Sequence, residues 1–481
     1  MERTIIYGPP GTGKTTRLIS IMEDYIASGG QPNKIGFTSF TRRSIEEATR
    51  RVEKKFNYTK DQLSFFRTIH SLCMGLTGFK NSDVVQWSHK KEIAKILGLE
   101  LTFKKQTMDG TSYGMKDGDK MFHISDYYRA KGIDLEQAWE ETGADVDWDE
   151  LKRFDKAYTQ YKNSKMLVDF TDMLDRFLKE GYSPKLDVLF VDESQDLSTL
   201  QWEVIFKLEQ SARKSYIAGD DDQGIYGWNG ANVSTFIDLP GNRIVLDKSY
   251  RLNKRVFETA MGIIRMVSKR VDKIYTSRND NGLIEEIYYL DDLPIEKGEW
   301  LLLARNGFLL KTYEDFCFEN GIFYETSGGY GPSKWPEFEA ILIWENYRKG
   351  IKPTEKKWEL IQSYTTIPEI ANTRYDNIAP WFEVLDAMTP ARKDYFRRCK
   401  ANGEKLLSRP RVHINTIHGV KGGEAQNVCL MLELANTTWK SMENNPDEEH
   451  RVFYVGVTRA IDNLYIKMPF TNKYYDLRVV G

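Results

Sequence analysis

Four cysteines in 481 residues, at positions 73, 317, 399 and 429, stand too far apart to form any CxxC pair. The spacing excludes a disulfide framework and offers no zinc-ligand pattern, so no structural metal is expected and a reducing compartment such as the cytoplasm suits the chain. No apolar run approaches the ~18 residues that cross a bilayer. Met1-Glu2-Arg3-Thr4 leads straight into a strand-like segment, so neither a membrane partner nor a secretory leader is expected. Glycine (35) and proline (15) are present at ordinary levels, which excludes a collagen-like or low-complexity chain. An excess of one charge is missing as well: 68 Lys and Arg face 70 Asp and Glu, for a net charge of −2. Bulk charge therefore gives no sign of a polyanionic partner.

What remains is a chain with 41% apolar and 13% aromatic residues, enough for substantial cores. At roughly 150 residues per domain its length suggests about three units. Local charge is uneven. Residues 134–150 hold eight acids and no Lys or Arg, a stretch that would repel phosphate. Residues 390–411 hold eight bases against Asp394 and Glu404, and residues 42–55 hold six bases against three acids. Such patches can confine a polyanion to one track, or can be solvated helix faces.

Short apolar runs alternate with amphipathic stretches. Thr4–Tyr7 stops at a glycine-rich turn, and Leu18, Ile19, Met22, Tyr25 and Ile26 then recur at helical spacing. Val188–Val191 ends at two carboxylates, and Tyr216–Ala218 ends at Gly219 and three aspartates. Further runs lie at 243–246, 300–304, 428–432 and 464–466. This rhythm predicts an α/β protein with parallel sheets covered on both faces, and active residues at the carboxyl ends of strands. Residues 81–149 and 350–407 break the rhythm and read as mostly helical insertions.

Gly8-Pro9-Pro10-Gly11-Thr12-Gly13-Lys14-Thr15, followed by Thr16, matches GxxxxGK[ST] between a strand and a helix. Glycines let backbone N–H groups turn toward phosphate oxygens, and the helix N-terminus adds its dipole. Lys14 is expected to reach the β- and γ-phosphates of ATP, and the Thr15 hydroxyl to ligate Mg²⁺. Asp192 at the end of a buried strand can hold the Mg²⁺ while Glu193 polarises the attacking water.

These segments together resemble the superfamily 1 DNA helicases of the UvrD/Rep/PcrA type. Asp192-Glu193-Ser194-Gln195-Asp196 is similar to their DExQD motif, and residues 219–231, from Gly219-Asp220-Asp221-Asp222-Gln223 to Ala231, to GDxDQxIYxWRGA. Ser249-Tyr250-Arg251 is similar to their NYR element, residues 416–424 to TxHxAKGLE and residues 451–460 to RxxYVxxTRA. Phe40-Thr41, residues 68–71 and residues 169–172 are lesser matches, and all run in family order.

The resemblance implies two RecA-like P-loop NTPase domains with parallel sheets, each carrying a mostly helical insertion. Residues 1–80 and 150–246 would form the first motor domain, with 81–149 inserted in it. Residues 247–349 and 408–481 would form the second, with the reduced insertion 350–407. Gln223 is implied as the γ-phosphate sensor, Arg251 and Arg459 as arginines that reach the same phosphate, Tyr250 as a stacking surface for adenine and Glu424 as a ribose contact. Phe40, Tyr226 and Trp228 resemble platforms on which bases stack, and Thr41, His70 and Thr416 resemble phosphate contacts.

The chain departs from the family in places. The glycine loop begins at residue 8, without the upstream glutamine segment that reads adenine, Asn229 stands where the family has arginine, and Gly423 where it has leucine. Small size and a short C-terminal end suggest a minimal, phage-encoded member working in a host cytoplasm. The activity implied is ATP-driven movement along single-stranded DNA, 3′-to-5′, with unwinding at single-strand/duplex junctions in replication or repair. The alternatives are a translocase that strips proteins from DNA and an ATP-switched loader without sustained turnover. RNA suits the same stacking and phosphate contacts.

Overall fold

The computed structural model describes residues 2–102, 115–326, 331–367 and 379–477. The chain forms two compact units, Met1–Asn281 with Lys440–Val455, and Gly282–Trp439 with Gly456–Gly481. Parts of both expected insertions, residues 103–114 and 368–378, lie outside the described residues.

The first unit is built on six strands: β1 (Glu2–Tyr7), β2 (Ile35–Ser39), β3 (Phe66–Thr68), β4 (Leu186–Asp192), β5 (Ala212–Gly219) and β6 (Asn242–Val245). They lie in the order β3-β2-β4-β5-β1-β6, and every pairing is parallel. Period-2 alternation divides their side chains between two cores. Ile5, Tyr7, Leu189, Val191 and Ile217 face one side, against Leu72, Phe177, Trp202 and Ile205. Ile6, Val188, Phe190 and Ala218 face the other, against Leu18, Ile19, Met22 and Ala48. Burial on both faces is why β1, β4 and β5 carry continuous apolar runs, while β6 at the sheet's edge is mostly exposed. Because the strands are parallel, the ends of β1, β4 and β5 emerge along one edge, side by side.

The second unit holds β7 (Leu283–Ile287), β8 (Trp300–Ala304), β9 (Tyr324–Thr326), β10 (Val412–Thr416), β11 (Ala425–Met431) and β12 (Ala460–Lys467), in the order β7-β12-β11-β8-β10-β9 and again all parallel. The expected α/β architecture with two parallel sheets is therefore present. It is consistent with two RecA-like domains.

The boundary between compact units falls later than the motif-based boundary at 246/247. Residues 247–281 are held by the first unit because Tyr250 N donates to Gly11 O (2.9 Å), Ser249 Oγ donates to Pro10 O (2.7 Å), and Lys273 is buried among Asp220, Asp221 and Asp222.

The two helical segments that break the strand rhythm differ in kind. The first has its own core, in which Ile93, Met121, Phe122, Ile124, Leu151, Phe154 and Tyr158 meet, so it extends past residue 149 through the helix Trp148–Ser164. In the second, Ile361, Trp381, Val384, Tyr395 and Phe396 share one core with Trp300, Leu302, Val412 and Ile414 of the sheet. Tyr395 Oη also donates to Ile322 O (2.8 Å). The second segment is thus a buttress of its unit rather than a separate lobe.

An ion-pair knot roots the first insertion. Asp169 caps the helix Phe170–Glu180, accepting from Asp172 N (2.9 Å). The same carboxylate accepts from Arg129 Nη2 (2.8 Å) and Lys162 Nζ (2.5 Å), while Asp172 accepts from both cations (3.0 and 2.6 Å). Burial alone would raise the Asp169 carboxyl, but Arg129 and Lys162 outweigh it and hold it below the usual carboxylate range. Asp169→Ala leaves two cations short of a buried partner and removes a cap. It is expected to cost about 3–5 kcal/mol in chemical denaturation. Since the native carboxyl is depressed, the wild-type contribution is present above the unfolded carboxylate range and fades as pH falls toward the native value. The variant should therefore lose less stability than wild type on acidification.

Candidate nucleotide and nucleic-acid site

The glycine loop leaves β1 and returns as the helix Lys14–Ala27. Gly8 N donates to Gly219 O (3.0 Å), which ties the loop to the end of β5. Thr12 closes the turn through its N–H and hydroxyl, both to Pro9 O (3.2 and 2.8 Å). Gly11 and Gly13 have φ of +72° and +82°, and a Cβ on Gly11 would stand 2.4 Å from Arg251 Cβ. Glycine is required there for the left-handed backbone and for the close approach of Arg251. Lys14 Nζ donates to Gly8 O (2.8 Å), so its amine lies within the loop.

Around the loop the strand ends bring carboxylates together. Thr15 Oγ1 donates to Asp192 Oδ2 (2.7 Å). Burial and the neighbouring Glu193 push the Asp192 carboxyl up to about 6, against the opposing pull of Thr15 and Lys14. A hydroxyl paired with a carboxylate that is costly to ionise fits a divalent cation, which these two residues would hold. Glu193 has φ +54°, a strained conformation for a residue other than glycine. Gln195 Nε2 donates to Glu193 Oε2 (2.6 Å), and Asp220 N donates to Gln195 Oε1 (3.0 Å). Gln223 Nε2 in turn donates to Asp220 Oδ2 (2.6 Å). Hydrogen bonds thus run from Glu193 at the end of β4 to Gln223 beyond the end of β5. Tyr250, 68% exposed, stands beside the loop with Lys248 Nζ 5.5 Å from its ring centroid.

A row of aromatic rings lies on the same unit. Phe40 and Tyr226 have ring centroids 5.7 Å apart, Tyr226 and Trp228 6.2 Å, and Trp228 and His123 6.4 Å. Trp228 rides a 3-10 turn, Gly227–Asn229, that ends at Gly230 with φ +85°. His70 meets Phe170 edge-on at 5.5 Å, and Phe170 is 62% exposed. Burial lowers the pKa of both His70 and His123 to about 4, so both imidazoles are neutral at pH 7. Thr41 is exposed at the N-cap of the helix Arg42–Phe56.

A family profile described as the UvrD/REP helicase N-terminal domain matches residues 1–242, and one described as the UvrD-like helicase C-terminal domain matches residues 397–469. The chain belongs to the UvrD/REP helicase family.

Among curated relatives, "ATP-dependent DNA helicase Rep" of Buchnera aphidicola subsp. Baizongia pistaciae is 27% identical over 40% of this chain and 33% of its own length. "ATP-dependent DNA helicase PcrA" of Leuconostoc citreum is 25% identical over 58% of this chain and 39% of its own. "ATP-dependent DNA helicase PcrA" of Bacillus subtilis is 25% identical over 69% of this chain and 49% of its own. The chain thus spans between about a third and a half of the length of these relatives.

Of the residues expected to act, Gly8 to Thr16, Asp192, Glu193, Gln223, Tyr250 and Arg251 all lie in the first unit, as do Phe40, Thr41, His70, Tyr226 and Trp228. Thr416, Glu424 and Arg459 lie in the second. There, Thr416 ends β10 and accepts from Gly419 N (3.0 Å), Glu424 is exposed, and the buried Arg459 donates to Gly423 O (3.1 Å) and to Thr458 Oγ1 (3.3 Å). The motifs give Gln195, Asp220 and Phe170 no individual role, and His123 and Lys273 lie outside all of them. The polar spacing in Asp192-Glu193-Ser194-Gln195-Asp196, and a phenylalanine placed between the acids Asp169 and Asp172, are signals the sequence does carry. For His123 and Lys273 the sequence held none, since an isolated His or Lys in a helical or loop stretch is ordinarily a surface residue.

Because the Asp192 carboxyl is raised and a metal requires it ionised, Mg²⁺-dependent nucleotide affinity should fall as pH drops through about 6. Titration of a fluorescent ATP analogue with and without Mg²⁺ between pH 5 and 8 checks this. The Mg²⁺-dependent gain should shrink toward pH 5, and Asp192→Asn should show little gain at any pH.

Proposed function

We propose that this chain is an ATP-dependent DNA helicase that moves on single-stranded DNA, 3′-to-5′, and separates duplex at single-strand/duplex junctions. The observation that carries the proposal is the hydrogen-bonded run Glu193–Gln195–Asp220–Gln223 beside the Lys14 loop, on the same unit as the aromatic row. The first can respond to the state of a γ-phosphate, and the second can hold bases without regard to sequence. Family membership and the names of the relatives support the same reading.

In this scheme Lys14 and the loop N–H groups bind the phosphates, and Tyr250 stacks on the base. Glu193 orients and deprotonates the attacking water, while Gln223 contacts the γ-phosphate. Arg251 and, by family resemblance, Arg459 stabilise charge on the transferred phosphoryl group. Mg²⁺ on Thr15 and Asp192 would neutralise phosphate charge when bound. Phe40, Tyr226 and Trp228 hold bases, with Thr41, His70 and Thr416 touching phosphates. A neutral His70 gives a hydrogen bond without a charge, which permits stepping rather than gripping.

Lys14→Ala should abolish DNA-stimulated ATP hydrolysis while leaving oligo(dT) affinity within a few-fold of wild type. Unwinding of 3′-tailed duplex, with 5′-tailed duplex left intact, is the expected polarity result. Stimulated hydrolysis with no strand displaced would indicate a protein-stripping translocase, and no hydrolysis with any oligonucleotide would point to a switch. Matched RNA oligonucleotides test the choice of polymer.

Trp228→Ala should weaken single-strand binding by about 5- to 150-fold, the equivalent of ~1–3 kcal/mol for one stacked base, with DNA-free hydrolysis little changed. Fluorescence anisotropy and a coupled ATPase assay measure the two effects separately.

A further inference from the structure

Lys273 lies on the segment that follows the helix Lys254–Ile264, and its ammonium group is fully buried. Its Nζ stands 3.0 Å from Asp220 Oδ1, 2.5 Å from Asp221 Oδ1 and 2.8 Å from Asp222 Oδ2, and all three carboxylates are also fully buried. Arg270 forks onto Asp222 through Nε and Nη2 (2.9 and 2.7 Å), and Val271 N donates to Asp221 Oδ2 (2.7 Å). Three adjacent carboxylates repel one another strongly in so dry a place, and the Lys273 ammonium at their centre, with Arg270 on Asp222, offsets that repulsion.

The three aspartates are not equivalent. Asp221 and Asp222 are satisfied by groups of the segment 270–273. Asp220 shares Lys273 but turns its other oxygen to Gln223 Nε2 (2.6 Å), and its backbone N–H reaches Gln195, the partner of Glu193. A carboxylate can only accept, so it compels Gln223 to present its amide nitrogen on that side and its oxygen on the other. A protonated Asp220 could instead donate, and the Gln223 amide would lose that constraint. Lys273, together with Lys14, holds Asp220 below the usual carboxylate range despite its burial.

From this arrangement we infer that Lys273 is a positioning residue for nucleotide sensing, acting through Asp220 to hold the Gln223 amide in the orientation that distinguishes a triphosphate from a diphosphate. The inference rests on the proposed function and adds a residue outside every motif that suggested it. A purely structural role, pinning residues 254–276 to the strand edge, would use Asp221 and Asp222 equally well and would leave Gln223 unaffected.

The experiment measures the affinity of fluorescent β,γ-imido-ATP and of fluorescent ADP, in the presence of Mg²⁺, for the full chain. Lys273→Met alone leaves three buried carboxylates short of a cation and is prone to unfold. The principal variant is therefore Lys273→Met with Asp221→Asn, which removes one charge of each sign, and Asp221→Asn alone reports the cost of the compensating change. Far-ultraviolet circular dichroism and a melting curve establish folding.

The paired variant should bind ADP within twofold of wild type and lose its preference for the imido-triphosphate by about tenfold. Gln223→Ala should lose the preference to a similar degree. Combining Gln223→Ala with the pair should add almost nothing, the non-additivity expected when two residues act as one unit. Lys273→Arg should recover part of the preference. A folded pair with wild-type discrimination, or losses that simply add to that of Gln223→Ala, would overturn the inference while leaving the helicase reading in place. Wild-type protein that binds neither nucleotide would defeat the functional reading itself, and the inference with it.

Discussion

Concentrated negative charge at the carboxyl edge of one parallel sheet is the constraint around which this molecule is arranged. Five acids, Asp192, Glu193, Asp220, Asp221 and Asp222, lie at or just past the ends of β4 and β5, four of them fully buried. Such a group persists only with cations or donors at hand, because desolvation of each charge costs several kcal/mol or more. The chain supplies Lys14 from the glycine loop, Lys273 and Arg270 from a later segment, and amide donors from Gln195 and Gln223. Asp192 stands apart from Asp220: burial and the neighbouring Glu193 push its carboxyl up, and its partner is the Thr15 hydroxyl rather than a cation.

The same edge explains why the fold tolerates so many polar contacts in its interior. Each buried carboxylate there has named partners, and Thr15, Gln195 and Gln223 link them to residues that the proposed chemistry uses. Structural satisfaction and positioning are one network. The glycine loop repeats this logic in the backbone: Gly11 admits Arg251 closely, and Ser249 and Tyr250 bond the loop carbonyls.

The aromatic row depends on a different economy of forces. Phe40, Tyr226 and Trp228 come from two separated loops, and the inserted helices contribute His123 as a neighbour of Trp228. The insertion is anchored by Arg129, Lys162, Asp169 and Asp172, at the very helix start that exposes Phe170 beside His70. An insertion with its own core and a charged root can hold a ring in place without entering the sheet's packing. The second insertion does the opposite, since Trp381 and Phe396 complete the core of their own sheet.

Strands buried on both faces were legible in the sequence because parallel sheets demand continuous apolar runs, and β1, β4, β5, β8, β11 and β12 all contain runs picked out that way. The short β3 and β9, three residues each, carry too little pattern to separate from loop, and β2 (Ile-Gly-Phe-Thr-Ser) is diluted by small and polar residues. The glycine loop between a strand and a helix, the acids at strand ends and the family were equally readable, since each rests on fixed residue types at short spacing. Tertiary structure alone decided which distant residues complete the site. Lys273 meets Asp220, and His123 meets Trp228, only because strand order and an inserted helix bring them there. Charge pairing and ring contact act through space, at distances that sequence separation does not encode.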